Sequence, residues 1–410
     1  MRLVHTSDWH LGRSLHGRRR IEEMEAFLTW LVGTIAREGA SAVLVAGDIF
    51  DTGTPSNRAQ EAYYRFLRDA RAAGCRHVVI TAGNHDSPSF LDAPRELLRG
   101  FDVHVRGAAS ADPADEVIVL RDPSGAPEAV VGAVPYLRDR DLRLAEAGET
   151  TLDKENKLRE GIAARYGAVC DEARARREKE GGGDVPIILM GHLYTSGARL
   201  ADGDGERDLY LGTALHVPAE IFPADADYVA LGHLHVPQIV AGRQSVRYSG
   251  APYAMGFTEN RQARGVCLVD VSAGEAGVRF LETPVFQELE RVTGDLDAIR
   301  LRIAALAEAG SRAWLEVVYD GQEVVGDLQA VVAGATAGTM LEVLRITDRS
   351  LAARLPSAAT VGVTLDELDE HQVFDRVLEA ARIPEEQRSG LCEAYREILV
   401  ALNERDGRAR

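Results

Sequence analysis

Short runs of apolar residues recur along the first two thirds of the chain, and several end in a Gly followed by a polar side chain. The clearest is Val43–Ala46, in which small and β-branched residues lead into Gly47 and Asp48. A continuous run of this kind is typical of a strand buried on both faces of a parallel sheet. The pattern therefore predicts that Asp48 lies at the carboxyl edge of a sheet, where α/β folds bind their ligands.

A helical pattern separates this strand from an earlier one at Leu3–Thr6. The helix should end at Gly39, and its apolar positions recur at three- and four-residue intervals: Ile21, Met24, Phe27, Leu28, Leu31, Val32 and Ile35. A second helix is predicted over Pro55–Ala73 and a third strand over His77–Ala82. This alternation of strands and helices predicts an α/β fold with a parallel sheet.

Further strand patterns follow as far as Leu281, interrupted by a long charged helix over Asp153–Glu180. The predicted strands are Glu116–Leu120, Ala129–Val134, Pro186–Met190, Tyr228–Leu231, Gln238–Val240, Val246–Tyr248, Val266–Val271 and Val278–Leu281. Two of them lead into histidines, because His192 follows the third strand of this series and His233 and His235 follow the fourth.

The pattern changes near residue 283. Helical and strand-like segments alternate over 295–347, which predicts a small α+β domain at 283–349 after a first domain at 1–282. A linker rich in Ala, Ser and Pro follows at 350–364. The last segment, 365–410, contains two helices with apolar stripes but too little core to be stable alone, so we expect it to dock on another surface.

The composition is that of an ordinary globular protein, with 45% hydrophobic and 27% charged residues. The formal net charge of −17 argues against a protein that coats nucleic acid non-specifically, although an enzyme with local basic loops remains consistent with it. Four scattered cysteines without a C-x-x-C pair indicate free thiols and a reducing compartment. Because no leader and no run of 18 apolar residues is present, the sequence predicts a cytoplasmic protein with no membrane span.

Seven side chains of the metal-ligand type follow the predicted strands: Asp8, His10, Asp48, Asn84, His192, His233 and His235. They suffice for two divalent ions that share one carboxylate, for which we expect Asp48. Nitrogen and oxygen ligands without thiolate favour Mn²⁺ or Fe²⁺, with Zn²⁺ and Mg²⁺ as alternatives. Two such ions can activate a bridging water and stabilise an in-line displacement, so the predicted chemistry is phosphoester hydrolysis.

Each of these residues also has an ordinary structural explanation. An Asp after a strand commonly caps a helix, a single His is more often structural, and Asn84 suits a turn with positive φ. Five strand-end motifs in one chain make metal binding the better explanation for the set. His85 is predicted to be a general acid that protonates the leaving oxygen, with Asp86 orienting it or a neighbouring group; a structural histidine is the alternative.

The motif order D-x-H, GD-x-x-D, GNHD, GH and GH-x-H resembles that of the calcineurin-like metallophosphoesterases. Within that superfamily, the segments SDWHLGR, GDIFDTGTPS, GNHDSP, VPYLRDRD, ALGHLHVPQ and RYSGAP resemble the bacterial SbcD nuclease subunits. The resemblance implies a two-sheet sandwich flanked by helices, followed by a small α+β cap domain and a C-terminal helical pair. Asp51 departs from archaeal and eukaryotic relatives, which tend to have a second site histidine there, so the role of that histidine does not carry over.

The same resemblance implies a DNA exonuclease (3′–5′) and endonuclease that uses two Mn²⁺ ions and processes DNA ends and hairpins in recombination and repair. It also implies that segment 365–410 binds a coiled-coil ATPase of the SbcC type. A homodimer would form through helices near 55–73 and 87–99, giving a heterotetramer with the ATPase. The location would be cytoplasmic and associated with the nucleoid.

Arginines follow two of the motifs and are candidates for contact with a DNA backbone: Arg13, Arg18, Arg19, Arg20, Arg138, Arg140 and Arg143. A solvated basic loop is the equal alternative. Two rival functions are a small-nucleotide or phosphoprotein phosphatase on the same fold and a non-cutting scaffold that docks an ATPase on DNA ends. The chain lacks the Asp-Arg-Gly and GNHE sequences of protein phosphatases, which disfavours the phosphoprotein substrate.

Overall fold

The computed structural model describes residues 1–142, 149–182, 184–195, 217–259, 262–323 and 325–350, and the single positions 378, 388, 391, 392 and 395. It divides into two compact units, Met1–Leu289 and Glu290–Arg410. Apart from residue 350 and those single positions, the predicted linker and C-terminal helices lie outside the described residues. Within the described part of the chain, no helix has both the length and the apolar character that a membrane crossing requires.

In its described part, the first unit contains two six-stranded sheets, which confirms the predicted two-sheet sandwich. The first sheet consists of β1 (Arg2–Thr6), β4 (Ala42–Ala46), β5 (His77–Thr81), β6 (Val103–Arg106), β13 (Gly265–Ser272) and β14 (Glu275–Glu282). Its strand order is β14-β13-β1-β4-β5-β6. The second sheet consists of β7 (Val117–Arg121), β8 (Pro127–Ala133), β9 (Ile187–His192), β10 (Tyr228–Gly232), β11 (Gln238–Val240) and β12 (Arg243–Tyr248). Its strand order is β11-β12-β10-β9-β8-β7. A short hairpin, β2 (Ser14–Leu15) and β3 (Arg18–Arg19), follows β1.

Among its described residues, this unit has six α-helices: α1 (Ile21–Glu38), α2 (Asn57–Ala72), α3 (Pro88–Asp92), α4 (Arg95–Arg99), α5 (Asp139–Leu142) and α6 (Thr151–Lys179). As predicted, α1 ends at Gly39, whose φ of 65° is the left-handed conformation that glycine adopts without strain. Helix α2 begins at Asn57 rather than at Pro55 because the Ser56 side chain accepts a hydrogen bond from Ala59 N and so acts as its N-cap.

Apolar side chains fill three layers of the sandwich. Those of the middle layer lie between the two sheets and include Leu3, Leu44, Val79, Val131, Ile188 and Ala230. Helices α1 and α2 cover the outer face of the first sheet through Phe27, Leu31 and Phe66, and α6 covers that of the second through Tyr166 and Val169. Because β1, β4 and β5 are parallel, and β9 and β10 are parallel, each set delivers its following loops to one edge of its sheet.

The sequence pattern missed several elements. Strand β6 (VHVR) is short and half polar because it is an edge strand, and the β2–β3 hairpin has only two residues on each side. Strand β14 extends back to Glu275, beyond the predicted start at Val278, because it pairs with the whole of β13 while leaving its outer positions exposed. Exposed edge strands lack the apolar run by which buried strands are recognised.

The second unit is a small α+β arrangement: β15 (Leu289–Gly294), α7 (Leu296–Glu308), β16 (Trp314–Tyr319), α8 (Leu328–Thr336) and β17 (Glu342–Asp348). Its strands form one sheet in the order β15-β16-β17, packed against Ile299, Ile303 and Val332 of the helices. Helix α8 begins at Leu328 because Asp327 Oδ1 accepts a hydrogen bond from Ala330 N at 2.8 Å and so acts as its N-cap.

His5 on β1 joins the two sheets of the first unit. Its wholly buried imidazole contacts the Tyr228 hydroxyl through Nδ1 at 2.9 Å and the Leu231 carbonyl oxygen through Nε2 at 3.1 Å. Burial lowers the pKa of His5 from 6.5 to about 3, so the folded protein holds this side chain in its neutral form.

We predict that His5→Gln weakens the pH dependence of the unfolding free energy. Between about pH 3 and 6.5, the unfolded chain binds a proton at this histidine that the folded protein does not bind. The contribution of His5 to the free energy of unfolding is therefore complete above pH 6.5 and is lost as the pH falls toward 3. In wild-type protein this lowers the free energy of unfolding by about 1.4 kcal/mol per pH unit. Denaturant unfolding between pH 7 and 5 measures this slope, and His16→Gln, a change at an exposed histidine, is the control. Equal slopes in the two variants would contradict the assignment.

Candidate metal centre

The seven predicted ligand side chains lie together at one edge of the sandwich. Asp8 and His10 follow β1, Asp48 follows β4, and Asn84 follows β5. From the second sheet, His192 ends β9, and His233 and His235 follow β10. The carboxyl ends of parallel strands in both sheets therefore supply every member of the cluster.

Asp48 lies at the centre of the cluster. Its Oδ2 is 3.3 Å from His192 Nε2 and 3.7 Å from His10 Nε2, and the latter nitrogen is 3.3 Å from His235 Nε2. Asn84 Oδ1 lies 3.0 Å from His192 Nε2 and 3.1 Å from His233 Nδ1. The donors thus form two overlapping groups that meet at Asp48.

The backbone around the centre is strained in a way that few residues tolerate. Four of the candidate ligands have positive φ, namely Asp8 (54°), His10 (45°), Asp48 (51°) and His233 (103°). Conformations of this kind cost roughly 1–3 kcal/mol each and are concentrated at functional sites. Asn84, for which a turn with positive φ was an alternative, is not among them.

The loops after β1 and β4 hold each other in place. Asp8 N donates to the Gly47 carbonyl oxygen and His10 N to that of Asp48, both at 3.0 Å. The loop after β5 approaches so closely that a Cβ at Gly83 would overlap the Asp48 carboxylate. Glycine in the GNHD motif is therefore required by contact, not by chain flexibility.

The centre pairs a buried carboxylate with imidazoles. Burial opposes the charged form of His192, but the Asp48 carboxylate outweighs it and raises the His192 pKa to about 10. Burial likewise opposes ionisation of Asp48, yet the neighbouring histidines hold its pKa well below the usual range. The buried Asp48 Oδ2 still makes no hydrogen bond with any described residue. A buried anionic oxygen without a donor, among imidazole nitrogens, fits a divalent cation.

Two of the candidate histidine ligands have a carboxylate near Nδ1, on the side of the ring away from the cluster. The sequence did not predict this arrangement. His10 Nδ1 lies 3.4 Å from Asp51 Oδ1, and that carboxylate binds Arg13 at 3.0 Å. Such carboxylates fix the tautomer and raise the basicity of metal-binding histidines. Asp51 is therefore placed to orient the His10 ring.

The second carboxylate of this kind is Glu259. Its Oε1 lies 3.7 Å from His235 Nδ1, and its Oε2 accepts a hydrogen bond from Arg264 Nη2 at 2.8 Å. Both Glu259 and Arg264 are buried. Because Glu259 lies in the loop between β12 and β13, far along the chain from His235, no local spacing links the two in the sequence.

His85 and Asp86 have different surroundings. The half-buried His85 contacts the Asp51 carbonyl oxygen through Nδ1 at 2.9 Å, and its backbone N donates to Asp48 Oδ1 at 2.9 Å. The Asp86 carboxylate is buried and accepts hydrogen bonds from the backbone N of Ile49, Phe50 and Gly83. Asp86 thus ties the loop after β4 to the loop after β5.

The structure corrects part of the basic-loop prediction. Arg20 is only 1% exposed and is bound to Glu23 and to the Ala254 carbonyl oxygen, so it is not available to a DNA backbone. Arg13 is engaged by Asp51. Arg18 and Arg19 are exposed on β3, and Arg140 is exposed on α5. Arg138 is half-buried and donates to the Asp86 carbonyl oxygen, and Arg143 lies outside the described residues.

Comparison with known proteins places these features in a family. Residues 1–237 match the model of the calcineurin-like phosphoesterases, and residues 285–382 match that of the type 5 capsule protein repressor C-terminal domain. The chain is 35% identical over 406 residues to the SbcD subunit of the nuclease SbcCD from Escherichia coli strain K12, covering 98% of each protein. It is 39% identical to the corresponding SbcCD nuclease subunit from Rhodobacter capsulatus, in a match that covers 67% of this chain and 68% of that protein. It is 37% identical to the subunit from Bacillus subtilis strain 168, in a match that covers 67% of each protein.

We predict that Glu259→Gln and Asp51→Asn each weaken the binding of one divalent ion by about 10–100-fold, because each removes the anionic partner of a candidate histidine ligand. Titration of the metal-free protein with Mn²⁺, followed by calorimetry, measures the affinity. Glu61→Gln, a change at a carboxylate on α2 with 68% side-chain exposure, is the matched control. Affinities equal to that of the control would show that neither carboxylate supports a ligand.

Proposed function

Since the chain belongs to the SbcD family of calcineurin-like phosphoesterases, we propose that it is the nuclease subunit of an SbcC–SbcD-type complex that processes DNA ends and hairpins. It is a metal-dependent phosphodiesterase of the nuclease class. The observation that supports the proposal best is the meeting of ligand-type side chains around buried Asp48 at one edge of the sandwich.

Two Mn²⁺ ions are the proposed cofactors. One would bind among Asp8, His10, Asp48 and His235, and the other among Asp48, Asn84, His192 and His233. Imidazole, carboxylate and amide donors without thiolate support Mn²⁺, with Fe²⁺, Zn²⁺ and Mg²⁺ as weaker candidates. Divalent ions held there would neutralise charge on the phosphodiester and lower the pKa of the attacking water.

His85 is the proposed general acid. Its Nδ1 is held by the Asp51 carbonyl oxygen, which leaves Nε2 as the ring nitrogen that can deliver a proton to the leaving 3′ oxygen. The side chain is half-buried, whereas Asp48, His192 and the other candidate histidine ligands are buried. A ring more accessible than those of the candidate histidine ligands, with Nδ1 already held by a carbonyl oxygen, supports a role toward substrate.

The remaining segments have proposed roles in assembly. Residues 1–282 would form the nuclease domain and 283–349 a cap that contacts DNA. After a linker at 350–364, residues 365–410 would bind the coiled coil of an SbcC-type ATPase. We further propose a homodimer through helices near 55–73 and 87–99, a heterotetramer with the ATPase, and a cytoplasmic, nucleoid-associated location.

The test of the proposed function compares substrates and two variants. With Mn²⁺, the protein should cut a labelled linear duplex and a hairpin faster than it hydrolyses p-nitrophenyl phosphate or a phosphopeptide. His85→Ala should lower the cleavage rate by about 10²–10⁴-fold because protonation of the leaving oxygen is lost. Asp48→Ala should lose bound metal as well, since it removes the proposed shared ligand.

Metal content by elemental analysis separates the two variants. His85→Ala should keep the wild-type content, and loss of metal in that variant would make His85 a ligand instead of an acid. Turnover of only the small phosphates would transfer the function to a phosphatase. Retained metal with no turnover of any substrate would instead favour a non-cutting scaffold on DNA ends.

The exposed arginines of β3 provide a test of DNA contact near the centre. Arg18→Glu/Arg19→Glu should weaken DNA binding and lower the slope of log Kd against log salt by about 2, because two phosphate contacts are lost. Arg20 is excluded from the variant because it is buried. Fluorescence anisotropy across a salt series measures both quantities, and an unchanged slope would remove the hairpin from the DNA interface.

A further inference from the structure

A cleft with many arginines lies between the edge strands of the two sheets. It has a volume of about 410 Å³ and is lined by parts of α4, β6, β7 and α6. We call it the arginine cleft, and its basic residues are Arg95, Arg99, Arg106, Arg121 and Arg176. Only three carboxylates share the lining, although the whole chain carries a net charge of −17.

Several of these guanidinium groups lack a carboxylate partner in the part of the chain that the structure describes. Arg121 forms an ion pair with Glu180 at 2.7 Å. Among the described residues, however, no carboxylate oxygen lies within 4.0 Å of the side-chain nitrogens of Arg99, Arg106 or Arg176. Guanidinium groups without a carboxylate partner in an acidic protein are suited to an anionic ligand.

Arg106 is held in place before any ligand binds. Its Nε donates to the Asp115 carbonyl oxygen at 2.6 Å and its Nη1 to that of Val105 at 2.9 Å. Burial and the nearby charge of Arg95 lower the Arg106 pKa and outweigh the opposite effect of the Glu116, Asp115 and Asp92 carboxylates. An immobilised guanidinium loses little conformational entropy on binding.

One end of the cleft lies at the edge of the sheet that carries the metal centre. Arg106 is the last residue of β6, and its carbonyl oxygen accepts a hydrogen bond from Ala82 N, just before the loop that carries Asn84. Strand β6 is two positions from β4 in the sheet, which separates their axes by about 10 Å. A DNA strand bound at the metals has to pass only the end of β5 to reach this end of the cleft.

We propose that the arginine cleft binds the phosphodiester backbone of the DNA strand next to the scissile position. The proposal rests on the proposed nuclease function, and it adds a contact surface separate from the β3 arginines. Guanidinium groups bind phosphate oxygens in paired, charge-assisted hydrogen bonds, which positions a strand without reading its sequence.

The test uses Arg106→Gln/Arg176→Gln, because both residues lie outside the 55–73 and 87–99 segments proposed for the homodimer contact. The control is Arg37→Gln/Arg279→Gln, which removes the same charge from exposed positions on α1 and β14, also outside those segments. Anisotropy with a labelled duplex in Ca²⁺ should show at least about tenfold weaker binding for the cleft variant and a salt slope smaller by about 2. The control should bind as the wild type does.

Hydrolysis of bis-p-nitrophenyl phosphate in Mn²⁺ should stay unchanged in both variants, and thermal unfolding should show that both are folded. If Arg106→Gln proves unstable, Arg176→Gln alone should lower the salt slope by about 1.

An affinity and slope equal to those of the control would overturn the proposal while leaving the nuclease function intact. Wild-type protein that hydrolyses the small diester but neither binds nor cuts DNA would overturn the proposed function and this proposal together. A variant that loses binding of poly-glutamate but not of DNA would assign the cleft to an acidic protein and also overturn the proposal.

Discussion

The buried Asp48 carboxylate is the constraint on which the rest of the centre depends. An anionic oxygen removed from water is costly unless opposite charge or donors surround it. The fold supplies imidazoles from both sheets. His10 approaches the carboxylate from the same sheet, whereas His192 comes from the second sheet and reaches it only when the two sheets are packed together. The apolar layer between the sheets thus positions the chemistry as well as stabilising the unit.

The same constraint explains the unusual backbone. Loops that bring Asp8, Asp48 and His233 into one small volume must turn sharply at the strand ends, and these residues adopt positive φ as a result. Hydrogen bonds between neighbouring loops and the Asp86 carboxylate hold that geometry. Strain at the site is therefore offset by ordered contacts in the surrounding loops.

The sequence predicted the parts of the structure that local pattern controls. Buried strands such as β4 are recognisable from their apolar runs, and the seven polar residues that follow these runs lie together in the structure. Contacts between distant segments left no such signal, which is why Glu259 beside His235 was missed and why buried Arg20 was placed among exposed basic residues. Edge strands such as β6 were missed because they lack an apolar run.

The pairing of β1 with β13 has a consequence for synthesis of the chain. Strand β1 lies inside the first sheet between β4 and β13, although β13 is made about 260 residues later. At about 5–20 residues per second, the ribosome needs roughly 13–52 s to reach it. Throughout that interval the edge of β1 that pairs with β13 is unpaired. An unpaired strand edge of this kind can pair with other chains. A nascent chain of this protein would therefore depend on shielding by chaperones until residue 272 has emerged.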